Sequence, residues 1–329
     1  MTFNYNNVYI NDTGTVVGPY EKKGPLGKFF DKSYDDLYFG TETWELAEVK
    51  LIEDAFDIVL NKVSKTKFDI DLFISGDLLN QITASNYAAI NIGIPYIGIY
   101  AACANSALGL IIASNMIESN QIKNAITCTS SHQNAAEKQF RYPVEYGGPK
   151  PKTATFTSTG AGCALISNNK KGIKIESGTL GTVVDLGVKD VYHMGAVMAP
   201  AAAKTIYEHL RDTKREVGYY DLIVTGDLGV YGKEILIEYM KNEYNIDLLN
   251  YDDAGIMLYD RENQPVYAGA SGPATAPIVT YGYLFDKMKK KKLKRILLVA
   301  TGALHSPTMV NSKNTIPGIA HAVSLEVVS

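Results

Sequence analysis

The chain has 329 residues, of which 46% are hydrophobic and 20% charged, with a formal net charge of -3. That composition fits one large globular domain, or two closely packed ones, with enough apolar residues for a sizeable core. It excludes a disordered chain, and nothing in the charge balance points to nucleic acid as a partner.

The first eleven residues are polar and lack a basic stretch followed by an apolar run, so no signal peptide is expected. Residues 8–17 read as a strand ending at Gly18-Pro19, and residues 43–63 as a long amphipathic helix. A buried strand is predicted over 68–75, a helix over 84–92, a short strand over 96–100 and a helix over 105–119. Strands follow at 123–129 and 156–166. In the second half the order is strand 173–184, helix 198–213, strand 221–225, helix 233–244, strand 255–259, helix 276–290, strand 295–300 and strand 320–328. Strands alternating with helices predict parallel sheets covered by helices. No uncharged apolar stretch reaches the roughly 18 residues of a spanning helix, so any membrane association is expected to be peripheral.

The same elements occur twice. Phe68-Asp-Ile-Asp-Leu-Phe-Ile-Ser-Gly-Asp-Leu78 resembles Tyr219-Tyr-Asp-Leu-Ile-Val-Thr-Gly-Asp-Leu228, which sets Asp77 against Asp227. The segment 121–132 resembles 292–303 in the same order. Two matches in order predict a duplicated α/β unit, with halves at residues 1–170 and 171–329.

The three cysteines, Cys103, Cys128 and Cys163, form no Cys-x-x-Cys pair. Neither a disulfide framework nor a zinc site is expected, and a reducing cytosolic compartment fits. Tyr96-Ile-Gly-Ile-Tyr-Ala-Ala-Cys103-Ala-Asn-Ser-Ala-Leu-Gly-Leu110 places Cys103 where a strand turns into a helix. Unpaired N–H groups and the helix dipole at such a position lower a thiol pKa, as a thiolate nucleophile requires. A buried cysteine filling space between helix and sheet is the other reading of the same residues.

Ala102-Cys103-Ala-Asn-Ser-Ala-Leu resembles the nucleophile motif of the thiolase and ketoacyl synthase superfamily, over nearly the whole chain. The resemblance implies a thiolase-like α/β fold, a duplicated unit in a layered αβαβα sandwich. It also implies a homodimer. Condensing enzymes of that superfamily pair the cysteine with a histidine and with a second histidine or an asparagine. At the matching places this chain has Gly226-Asp227 and Ser271-Gly272-Pro273-Ala274-Thr275. Without a base in reach of the thiol, acyl-transfer turnover is not expected, and no residue is assigned a catalytic role. An acyl-transfer enzyme using Cys103, and a non-catalytic scaffold with a vestigial pocket, are the alternatives.

Four further segments, 16–31, 129–147, 191–203 and 299–309, closely resemble the stage V sporulation protein AD family of spore-forming Firmicutes. The resemblance implies binding of dipicolinic acid and assistance with its uptake, with calcium, into the developing spore. It implies a place at the cytoplasmic face or periphery of the spore inner membrane, beside channel proteins of the same sporulation stage. Dipicolinate is a planar dianion, so its site needs donors and a flat wall. Cys103, Ser130, Ser131, His132 and Asp227 are the candidate ligand-binding residues, with donors from the helix start at Ala104–Ser106. No resident metal or cofactor is expected; calcium enters with the ligand, where Asp227 is placed to complete its coordination.

Each candidate has a plainer reading. His132 sits in a polar loop and is equally a solvated histidine. Asp77 and Asp227 follow glycine at strand ends, where Asp caps the next turn. Arg141 faces a ligand carboxylate or bridges to Glu137, and the bridge is favoured. His193 and His305 are read as structural or surface residues. Lys287-Met-Lys-Lys-Lys-Lys-Leu-Lys-Arg295 is read as the exposed end of a helix, with contact to anionic lipid or an acidic partner as the sharper alternative.

Overall fold

A computed structural model describes residues 1–140 and 150–328. The first apolar run forms β1, Tyr9–Val17, and the amphipathic stretch after it forms α1, Trp44–Val63. Thr43 starts that helix by accepting the Leu46 N–H at 3.2 Å, and Ser64 ends it in a left-handed conformation. Leu51, Ile52, Ala55, Phe56 and Val59 make its buried stripe. A Cβ at Gly14 of β1 would lie 2.3 Å from the Ala55 carbonyl oxygen, so glycine sets how closely α1 seats on the sheet.

The first half continues with β2 (Leu72–Gly76), α2 (Thr83–Ile92), β3 (Tyr96–Gly98), α3 (Asn105–Glu118), β4 (Asn124–Ser131), α4 (Gln133–Phe140) and β5 (Gly160–Ser167). The second contains β6 (Ile173–Leu180), α5 (Met194–Thr213), β7 (Leu222–Thr225), α6 (Gly229–Tyr244), β8 (Tyr251–Asp253) and α7 (Ala254–Leu258). It then has α8 (Thr275–Ile278), which runs through a π-helical segment, Val279–Leu284, into α9 (Phe285–Lys289), followed by β9 (Arg295–Ala303) and β10 (Gly318–Val327).

The main strand path is β8-β7-β9-β10-β6-β1-β5-β4-β2-β3. Read outward from its centre, both halves repeat one pattern. The first strand pairs antiparallel with the last, the last antiparallel with the next, and two parallel pairings follow. The halves join where Tyr9 and Ile10 pair with Lys174 and Ile173. α1 and α2 cover the first sheet's outer face, α5 and α6 cover the second's, and α3 with α8 and α9 fills the layer between. This is the layered, thiolase-like αβαβα sandwich.

Two expectations are corrected. Residues 255–259 are not a strand: Asp253 accepts the Ile256 N–H at 3.2 Å and starts the one-turn α7 instead. The apolar run suits either structure, and the cap decides it. Cys128 and Cys163 do form a disulfide, their Cα atoms 4.1 Å apart, because antiparallel register sets them directly opposite on β4 and β5. The cysteine count therefore gives no argument for a reducing compartment. Among the described residues, no helix is long and apolar enough to cross a membrane.

Candidate functional site

β3 ends three residues before Ala101, where the chain turns sharply into α3. Ala102 takes a left-handed backbone (φ 49°), and the Ala101 N–H donates to Asn105 Oδ1 at 2.6 Å. A side chain at Gly302 of β9 would sit 2.5 Å from the Ala101 oxygen and 3.2 Å from the Cys103 nitrogen. Glycine there lets a strand of the second half press against the turn that carries Cys103.

Behind Cys103 lies Asp227, at the end of β7. Its carboxylate is fully buried and accepts from Thr301 Oγ1 at 2.6 Å, Ser271 Oγ at 2.9 Å and the Gly272 N–H at 3.0 Å, and it faces the Cys103 thiol as a hydrogen-bond partner. Burial pushes the thiol well above its ordinary value, and the Asp227 charge pushes it the same way, against weaker help from Gly272 and Ser271. The expected lowering by the helix start is corrected: desolvation and a neighbouring carboxylate outweigh the dipole. The resting sulfur is a protonated thiol. Asp227 does not cap its own turn, since Asp253 accepts the Leu228 and Gly229 N–H groups at 2.9 and 3.0 Å. Asp77 does cap, accepting from the Leu79 and Ser85 N–H groups at 2.8 Å each. With its oxygens committed, Asp227 has none to offer a calcium chelate. Among the described residues no three His, Cys, Asp or Glu side chains converge as a metal cage.

Cys103 and Ser271 open onto a cavity of about 70 Å³. Its walls are mainly apolar, from Leu78, Met194 and Met198, with the Thr155 and Thr157 residues beside them. The short parallel pairing of 156–157 with 270–271 carries these threonines and Ser271 to one place. Tyr100, Phe140 and His305 line both this cavity and a wider outer groove of about 400 Å³. The Phe140 and His305 rings stack, centroids 5.2 Å apart and 30° between planes.

The other candidates are not brought together there. Ser130 donates to Glu48 Oε1 at 2.9 Å, and Ser131 to the Ser158 carbonyl at 2.7 Å. His132 is fully buried: Nε2 meets the Leu37 carbonyl oxygen at 2.8 Å, while Nδ1 accepts from Asn134 and Ala135 and starts α4. Burial drops this imidazole to about 4, against the opposing pull of the Leu37 carbonyl, so it is neutral. The α3 start at Ala104–Ser106 is also buried and lines neither cavity. Arg141 lies outside the described residues. His193 starts α5 by accepting the Ala196 N–H at 3.3 Å, a structural role. His305 is the residue that sequence reasoning passed over: it belongs to no superfamily histidine slot, yet the turn after β9 returns it to the cavity mouth.

The family model described as stage V sporulation protein AD matches residues 1–326. Stage V sporulation protein AD of Bacillus subtilis (strain 168) is 46% identical over 319 residues, 97% of this chain and 94% of the relative. Among solved structures, 3-oxoacyl-[acyl-carrier-protein] synthase III of Aquifex aeolicus VF5 aligns with a TM-score of 0.58 at 15% identity, covering 97% of this chain and 99% of the other. A variant of OleA from Xanthomonas campestris aligns with a TM-score of 0.63 at 16% identity, covering 98% and 99%. At such identities the likeness is one of fold alone.

Proposed function

The chain belongs to the stage V sporulation protein AD family, and from that premise we propose that it binds dipicolinic acid at the Cys103 cavity and assists its uptake into the developing spore without thiolase turnover. The observation that carries this reading is the pairing of Cys103 with Asp227. A nucleophile must lose its proton to attack, and here burial and the neighbouring carboxylate charge both hold that proton on the sulfur. The turn is kept while the chemistry is disfavoured, and what is left is a small lined cavity.

The lining suits the ligand's shape. A planar ring fits against the stacked Phe140 and His305 and the neighbouring Tyr100. Hydroxyls of Thr155 and Thr157 supply donors, and His305 at the mouth is placed to donate to a carboxylate. Calcium, where it accompanies the ligand, is held by dipicolinate itself. The protein works at the cytoplasmic periphery of the spore inner membrane, beside channel proteins of the same stage. It pairs as a homodimer through the open edge of β3, where neighbouring α2 exposes Tyr87 and Ile90 by 56% and 70%. Sedimentation equilibrium returning a monomer mass would remove that last point.

Titration calorimetry with dipicolinic acid, with and without calcium, tests the ligand. Saturable binding is expected, weakened about tenfold or more by His305→Ala, the cost of one charge-assisted hydrogen bond. His132→Gln should bind as the parent does. Absence of binding by the folded protein removes the ligand assignment. Hydrolysis of a coenzyme A thioester that disappears in Cys103→Ala would restore the enzyme reading.

A further inference from the structure

The stretch from Lys287 to Arg295 carries +7 and no acid, in a chain whose net charge is -3, which leaves -10 on everything else. Part of it is neutralised locally: Lys290 bridges Asp286 at 2.8 Å, and Arg295 bridges Glu326. Lys289, Lys291 and Lys292 are exposed and make no ion pair among the described residues. Their backbone is fixed, because the Lys291 N–H donates to the Met288 carbonyl at 2.9 Å and the Lys292 N–H to the Lys287 carbonyl at 2.9 Å, closing α9.

The surface continues beyond the helix end. Lys287 Nζ lies 4.5 Å from the centre of the Tyr283 ring, Tyr283 packs edge-on against Phe29 at 5.0 Å, and Lys28 Nζ lies 5.3 Å from the Phe29 ring. Two partly exposed aromatic rings are thus flanked by Lys28 and Lys287, which make no ion pair among the described residues.

We propose that this face docks onto a bilayer surface rich in anionic lipid, through Lys289, Lys291 and Lys292 with Lys28, Lys287, Phe29 and Tyr283. Flexible ammonium groups attract a diffuse negative potential without fixed geometry, and aromatic rings settle at the headgroup level. A long polyanion fits less well, because its phosphates would run on past the patch over a surface of net -10. The patch cannot serve the cavity. It lies at the start of β9, and the cavity lies past its end, a nine-residue strand of roughly 30 Å away. Docking here leaves the cavity mouth turned to the aqueous side. The inference adds a contact surface to the proposed membrane placement and is independent of the ligand.

The test is sedimentation of the full chain with vesicles of equal parts phosphatidylglycerol and phosphatidylcholine, against phosphatidylcholine alone. The parent protein should pellet with the anionic vesicles only, and less as salt is raised. Lys289→Gln/Lys291→Gln/Lys292→Gln, changed only at exposed unpaired residues, should lose about a hundredfold in partitioning, at about fivefold per lysine. Its melting temperature and dipicolinate calorimetry on the same preparation show that fold and cavity are intact. Parent protein that stays in solution with anionic vesicles overturns the proposal, as does a triple variant that pellets equally. Displacement from vesicles by duplex DNA at equal phosphate would reassign the face to nucleic acid.

Discussion

Asp227→Ala should cost about 3–5 kcal/mol of stability, the largest loss expected from any single change at the site. Thr301, Ser271 and the Gly272 N–H all donate to this carboxylate inside the fold, and each would be left without a partner. A buried donor that loses its acceptor costs about 1–3 kcal/mol, and part of the total is returned by no longer burying a carboxylate. In a chain of this length the loss should lower the melting temperature by about 5–10 °C. Asp227→Asn keeps one acceptor oxygen and the shape, so it should lose less. It also removes the charge that helps hold the Cys103 proton. Alkylation of Cys103 by iodoacetamide should then quicken about tenfold, the equivalent of one pKa unit. An Asp227→Ala protein that melts with the parent would show that the carboxylate does not organise the site. An unchanged alkylation rate in Asp227→Asn would show that burial alone holds the proton.

Glu21→Gln should remove about 3 kcal/mol of pH dependence from the stability of the whole molecule. Glu21 is fully buried between the halves. Its Oε1 accepts the Thr159 N–H at 2.9 Å and the Tyr259 hydroxyl, while Oε2 has no partner among the described residues. Burial raises this carboxyl from 4.5 to about 7, against hydrogen bonds that favour the charged form. The folded state therefore holds the proton more tightly than the unfolded chain does. This contribution to stability is complete below the unfolded value, shrinks as pH rises through the window between the two values, and is gone above the folded one. Urea unfolding of parent and variant at about pH 5 and about pH 8 measures it, and the variant should gain on the parent at the higher pH. A difference that stays constant across that range would mean Glu21 is ionised throughout.

Much of the architecture was written in apolar periodicity. The duplication was legible because β2 and β7 end in the same Gly-Asp pair, and the Cys103 turn because small residues crowd a strand-to-helix corner. What escaped depends on contacts between residues remote in sequence. The direction of the Cys103 pKa shift is set by burial in the finished fold and, after it, by Asp227, 124 positions away. The disulfide is set by the register of two strands, with no local pattern between cysteines 35 residues apart. His132 had the right position at a strand end, but its ring turned inward to start a helix. His305 lies in the family-like segment 299–309 but matches no superfamily histidine slot, and only its place after β9 brings it back to the cavity.

The middle layer has a consequence for how the chain is made. α3 packs on β2, β4 and β5 of its own half and equally on β6, β9 and β10 of the other. The first half therefore cannot finish its own interior when it leaves the ribosome. Its most apolar helix waits uncovered while the second half is translated, roughly 10–30 s at bacterial elongation rates. During that interval the nascent protein presents a sticky face, and aggregation or chaperone capture competes with completion. The two halves thus share one inner layer and reach their finished packing as a single unit of folding.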